Sequence, residues 1–194
     1  MAKGSENGKK KHRIGSVWNE RRYKGLFRWL IEIVVVLALS ALSAYLFLGT
    51  ITIQENSMDP TIQAGDTVLL NRLSYRLGTI RRGDLIAYRN YETTDAVYHI
   101  KRVIGLPGDT IQIKEGLIMI NGETYLETIE LPTIIDAGIA QEPVTLKSDE
   151  YFVLGDNRNN SEDSRFADVG NIKRSYISGR VWYIVQPAQR RGLL

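Results

Sequence analysis

An uninterrupted stretch of 21 uncharged residues, Ile33–Ile53, constrains this chain more than any other feature. As a helix rising about 1.5 Å per residue it would span about 30 Å, the thickness of a bilayer's hydrocarbon core. Val34, Val35, Leu37, Leu39, Leu42, Leu46 and Phe47 would make that helix apolar on all sides, unlike the one-sided stripe of a surface helix. Glu32 stands just before the run, within reach of headgroups, and Trp29 and Tyr45 can act as interfacial anchors. A cleavable signal peptide would have a shorter apolar region followed at once by a small-x-small site, and a buried core helix rarely needs so long a run. The expectation is a transmembrane anchor over 29–53.

Charge orients that anchor. Residues 1–28 carry nine cations against Glu6 and Glu20, a net of +7, while the remaining 166 residues total −4. Cations that precede the span predict a cytoplasmic N-terminus, a single pass through the cell membrane, and an extracytoplasmic domain over 54–194. The tail, 1–28, is suited to anionic lipid, and no helix-turn-helix pattern accompanies it, so the bilayer is an expected partner and nucleic acid is not. The chain has no cysteine, which excludes disulfides, thiolate nucleophiles and cysteine metal sites.

Beyond Thr52 the apolar pattern changes to period two, in short segments separated by turn residues. Strands are predicted at Thr67–Leu73, Asp84–Asn90, Val97–Ile104, Thr110–Ile113, Leu117–Ile120, Tyr151–Leu154 and Gly179–Val185. Glu115-Gly116 and Asn121-Gly122 read as turns, the second a strong hairpin signal. The expected fold class is mostly β, an antiparallel and partly closed sheet behind one N-terminal transmembrane helix. Residues 127–147, with Pro132 and Pro143, read as an excursion without assignable chemistry.

Four polar clusters remain. Ser57-Met58-Asp59-Pro60-Thr61 follows the apolar run closely, although Ser-x-x-Pro taken alone is an ordinary loop sequence. In Tyr98–Asp109, strand alternation puts His99, Lys101 and Val103 on one face. A strand lysine is usually a solvated edge charge, and only burial would turn Lys101 into a base, because desolvation disfavours the ammonium. Gly155–Arg165 is dense in short polar side chains. It fails as an EF-hand calcium loop, since the sixth and twelfth positions from Asp156 are Ser161 and Ala167, not glycine and glutamate. Arg82–Tyr88 is a turn entering a strand, and its Arg-Gly-Asp is a chance match to an adhesion motif.

In this order the four clusters resemble bacterial signal peptidase I of the Gram-positive form: Ser57-Met58-Asp59-Pro60, Arg82–Tyr88, Lys101–Asp109, and Gly155-Asp156-Asn157-Arg158 with Ser161 and Asp163-Ser164-Arg165. The resemblance covers roughly residues 20 to 190. It implies a largely β serine endopeptidase without a metal or other cofactor, acting on the signal peptides of secretory preproteins, with no obligatory protein partner. It also implies Ser57 as nucleophile and Lys101 as general base. Ser161 would hydrogen-bond the lysine, Asp163 and Arg165 would support it, and the Ser57 N–H would serve the oxyanion. Some relatives add a serine hydroxyl two positions before the nucleophile, where this chain has Glu55. Small side chains around the scissile bond call for shallow apolar pockets, for which Ile51, Ile53 and Met58 are candidates.

Three other classes compete. A histidine-dependent serine protease has only His99 as a base in the domain, the other histidine, His12, lying in the tail. A self-cleaving Ser–Lys repressor would need a DNA-binding module where the span stands. A tethered binding domain with a decayed site would have no reason to keep both Ser57 and Lys101.

Overall fold

The structure, a computed structural model, describes residues 25–43, 48–73, 78–89 and 97–194. The basic tail up to residue 24, Tyr45 and Asn90, on all of which expectations fell, lie outside these. The chain divides into two units, Met1–Leu46 and Phe47–Leu194. In the first, Gly25–Ser43 forms one helix (α1) with every described residue exposed. Its length and apolarity suit a membrane span.

The predicted anchor reaches too far. Leu48–Thr52, the end of the uncharged run, is a strand (β1) antiparallel to β2 (Thr67–Asn71), with Thr52 opposite Thr67. Hydropathy cannot separate the two, since uncharged residues suit a strand as well as a span. The Thr-Ile-Thr-Ile alternation of residues 50–53 is the overlooked β signal.

The second unit is antiparallel β. Its remaining strands are β3 (Leu85–Tyr88), β4 (His99–Gly105), β5 (Thr110–Lys114), β6 (Leu117–Ile120), β7 (Glu123–Thr124), β8 (Val144–Thr145), β9 (Glu150–Leu154), β10 (Ile172–Lys173), β11 (Ile177–Gln186) and β12 (Gly192–Leu193). The large sheet runs β1-β2-β11-β3-β4-β9-β10, with β12 on β11, and curls into a half-barrel. A smaller sheet, β7-β6-β5-β8, contains two tight hairpins. Glu115-Gly116 and Asn121-Gly122 make their turns with positive φ at all four residues, the backbone that matches the twist of a two-residue hairpin. The seven predicted strands are present with ends shifted by up to two residues where both ends are described. The two-residue strands β7, β8, β10 and β12 went unread because so short a pairing has no periodicity.

Strand β2 alternates as expected, burying Val68 and Leu70. Strand β4 does not. It is buried at Ile100, Lys101, Val103, Ile104 and Gly105, because β3 and β9 flank it and side chains cover both faces. On one face Ile100 joins a core with Met58, Ile62, Leu85 and Val181. On the other, Val103 packs with Ile86, Tyr88, Tyr151 and Val153. Lys101 pairs with Ile86 in the register, so it lies on that second apolar face.

Candidate active site

Ser57 sits at the start of a turn that follows β1, closed by a hydrogen bond from Ile62 N to Met58 O at 2.9 Å. Lys101 reaches it from mid-β4, with Nζ 2.7 Å from Ser57 Oγ. The lysine is 1% exposed and the serine 8%. Burial pulls the Lys101 amine below its ordinary range, against the opposing pull of the Glu55 and Asp163 carboxylates. A lysine so placed can exchange a proton with the serine hydroxyl.

Glu55 completes a cluster that sequence reasoning did not assemble. Its Oε2 accepts from Ser57 Oγ at 3.3 Å and lies 3.5 Å from Lys101 Nζ, while Oε1 lies 2.9 Å from His99 Nδ1. The His99 hydrogen bond, aided by the Lys101 charge and opposed by burial, lowers the Glu55 carboxyl to about 2. An ionised carboxylate has no proton to donate, so Glu55 does not stand in for a hydroxyl donor. The only signal for this contact was the departure at position 55. His99, the alternative base, is engaged by Glu55.

Ser161 requires a correction. Its hydroxyl faces the same cleft as Lys101 but is buried without a hydrogen-bond partner among the described residues. Lys101 Nζ is held by Ser57 and Glu55 instead. Ser161 packs against Gly155, where even a Cβ would collide with its Oγ and with the Ser57 carbonyl. Gly155→Ala should therefore push the Ser57 segment aside. We expect a loss of about 100-fold in turnover, since a displacement near 1 Å suffices for that, with the fold retained by circular dichroism. Activity within threefold of wild type would show the contact to be slack.

Asp163 and Arg165 brace the loop that carries Ser161. Asp163, fully buried, accepts from Gly155 N at 3.0 Å, and from Arg165 Nε at 2.8 Å and Nη2 at 2.9 Å. Asp156 binds Arg102 of β4 through both oxygens at 2.8 and 2.6 Å and accepts from Thr61 Oγ1 at 2.5 Å. Asn157 N donates to Ser57 O at 3.1 Å. The loop thus ties the turn that carries Ser57 to the strand that carries Lys101. The excursion 127–147, without chemistry in the sequence, is its outer brace: Glu127 pairs with Arg158 at 2.6 Å, Thr133 O accepts from Asn159 Nδ2 at 3.0 Å, and Asp136 O from Arg165 Nη1 at 3.0 Å. The Arg-Gly-Asp turn is structural too, Arg82 pairing with Asp109 at 3.0 Å and Gly83 O accepting from Arg102 at 2.9 Å.

Two clefts meet at Ser57 and Glu55. One, about 260 Å³, is lined by Ile51, Ile53, Met58, Ile62, Tyr98 and Ile100 among others. It brings together the three pocket candidates. The other, about 730 Å³ and more polar, includes His99, Lys101, Ser161 and Phe166. Among the described residues no cluster of His, Asp and Glu could hold a metal ion.

The fold and site define a β domain that presses a serine against a buried lysine between an apolar and a polar cleft. The model of the family described as signal peptidase, peptidase S26, matches residues 26–186. The chain is 37% identical over 147 residues to the probable signal peptidase I-2 of Synechocystis sp., covering 73% of this chain and 65% of that protein. It is 32% identical over 173 residues to signal peptidase I of Bacillus licheniformis, covering 84% and 89%. Signal peptidase I of Leptolyngbya laminosa is 38% identical over 151 residues, covering 73% and 70%. This chain belongs to the signal peptidase family, peptidase S26.

Proposed function

We propose that the protein is a membrane-anchored endopeptidase that removes signal peptides from secretory preproteins, with Ser57 as nucleophile and Lys101 as general base. The observation that carries this is the 2.7 Å contact between Ser57 Oγ and a lysine amine that is 1% exposed. Membership of the signal peptidase family points to signal peptides as the substrate class.

In this reading neutral Lys101 takes the Ser57 proton as Oγ bonds to the scissile carbonyl carbon. The oxyanion is met by the Ser57 N–H. As the C–N bond breaks, Lys101 gives its proton to the departing amine. Water then attacks the acyl-enzyme with Lys101 again as base, releasing the signal peptide's new carboxylate and returning the proton to Ser57 Oγ. Ile51, Ile53 and Met58 receive small side chains of a small-x-small substrate. Among the described residues β1 ends the large sheet, and its outer edge beside the apolar cleft suits pairing with an extended substrate strand. The excess of cations before α1 favours a cytoplasmic N-terminus and an extracytoplasmic domain.

Detergent-solubilised full-length protein should cleave a synthetic preprotein segment after its small-x-small motif, and Ser57→Ala should not. Placing tryptophan at either small position should slow cleavage at least 100-fold, since the apolar cleft is about 260 Å³. Cleavage by the Ser57→Ala protein, or none by wild type, would overturn the reading.

A further inference from the structure

The Glu55 carboxylate is the least expected group in the site. A general base must be neutral to take a proton, yet Glu55 Oε2 lies 3.5 Å from Lys101 Nζ, where its charge favours the ammonium. It also accepts the Ser57 hydroxyl proton, at 3.3 Å, that the lysine must receive for attack. Both contacts hold the pair in its resting arrangement, with Lys101 Nζ donating to Ser57 Oγ. His99 Nδ1 holds the opposite carboxylate oxygen at 2.9 Å, and its ring leans on Tyr88, with centroids 5.6 Å apart. His99 and Lys101 lie two positions apart in β4, so one strand face presents both nitrogens to one carboxylate.

We propose that Glu55, clamped by His99, is a positioning residue that keeps Ser57 and Lys101 in their resting proton arrangement and so sets the pH at which the pair begins to work. This rests on the dyad reading above.

The other groups around the lysine cannot take this role. Asp163 is committed to Arg165 through both oxygens and to Gly155 N. Glu162 is exposed to solvent on its loop, where water screens its charge. Tyr88 is buried, which pushes its hydroxyl well above the usual range, so it adds no charge at working pH. Glu55 is the carboxylate in contact with the amine, and its side chain is 38% exposed, so an arriving substrate can displace it.

The test is the pH dependence of kcat/KM for the full-length protein in detergent, with a small-x-small peptide. Glu55→Gln keeps the size and an acceptor for Ser57 but removes the charge. Its acid limb should move to lower pH by about one unit, the low end for an opposite charge in contact. His99→Ala frees the carboxylate to pair with Lys101 alone, and its limb should move to higher pH. A Glu55→Gln limb superimposed on that of wild type, with Lys101→Met inactive, overturns this inference alone. An active Lys101→Met protein overturns the dyad and this inference together.

Discussion

Replacing Lys101 with methionine should abolish cleavage and at the same time make the folded domain more stable at neutral pH. Removing one member of a catalytic group that acts as a unit costs on the order of 10⁴- to 10⁶-fold in turnover. Lys101 is the amine 2.7 Å from Ser57 Oγ, so the whole of that effect falls on one side chain. The stability gain comes from the same burial. The folded state binds the lysine's proton less tightly than the unfolded chain does, because burial lowers the amine's pKa from 10.5. Below the folded-state value both states are protonated, and folding bears the full cost of the buried ammonium. As pH rises through that value towards 10.5, the unfolded chain holds more protons, and stability increases. Methionine has a similar length and no charge. Urea unfolding should therefore give a higher midpoint for Lys101→Met than for wild type at pH 7, with the gap closing as pH approaches 10.5. A lower midpoint at pH 7 would mean that the ammonium is well solvated by its neighbours. Residual cleavage near the wild-type rate would remove lysine from the chemistry.

The second large effect is structural. Asp163→Ala should destabilise the domain by about 3–5 kcal/mol, the usual consequence of stranding one partner of a buried ion pair. Arg165 is 2% exposed, and Asp163 is the carboxylate paired with its guanidinium among the described residues. Gly155 N would also lose its acceptor beside the Ser57 carbonyl. At roughly 2–4 °C per kcal/mol for a domain of this size, the thermal midpoint should fall by on the order of 10 °C. Adding Arg165→Met to Asp163→Ala should recover part of the loss, because the unpaired charge then disappears. A drop below about 1 kcal/mol for Asp163→Ala would show that water reaches the arginine. No recovery in the double substitution would mean that the Gly155 contact dominates.

The site was legible in unequal parts. The resemblance, four short motifs in one order, put Ser57 and Lys101 forward as a pair, and in the structure they lie 2.7 Å apart. Asp163 and Arg165 were readable in the same way. Period-two alternation found the longer strands, β4 among them, but not the burial of β4, where neighbours on both faces cover nearly every residue. It also missed β1, whose uncharged residues continue the apolar run of α1 without a break. Ser161 was expected on the lysine and is not bonded to it, the amine's contacts being Ser57 and Glu55, the latter 46 residues before Lys101. The excursion 127–147 carried no motif, since its work is done largely by backbone carbonyls and one carboxylate, Glu127, facing another loop.

What the sequence by itself determined is local: an apolar helix long enough to span a bilayer, a β domain after it, turns at Glu115-Gly116 and Asn121-Gly122, and the absence of thiol chemistry. Each follows from periodicity, residue type or composition within a short window. Only the tertiary structure decided the state of Lys101. A lysine in a strand is by default a solvated charge, and only the packing around β4, between β3 and β9, leaves Lys101 1% exposed. The contact that opposes this, from Glu55 under the hold of His99, is likewise an encounter between distant segments. Electrostatics in a buried site depends on distances of a few ångströms, which no spacing along the chain encodes.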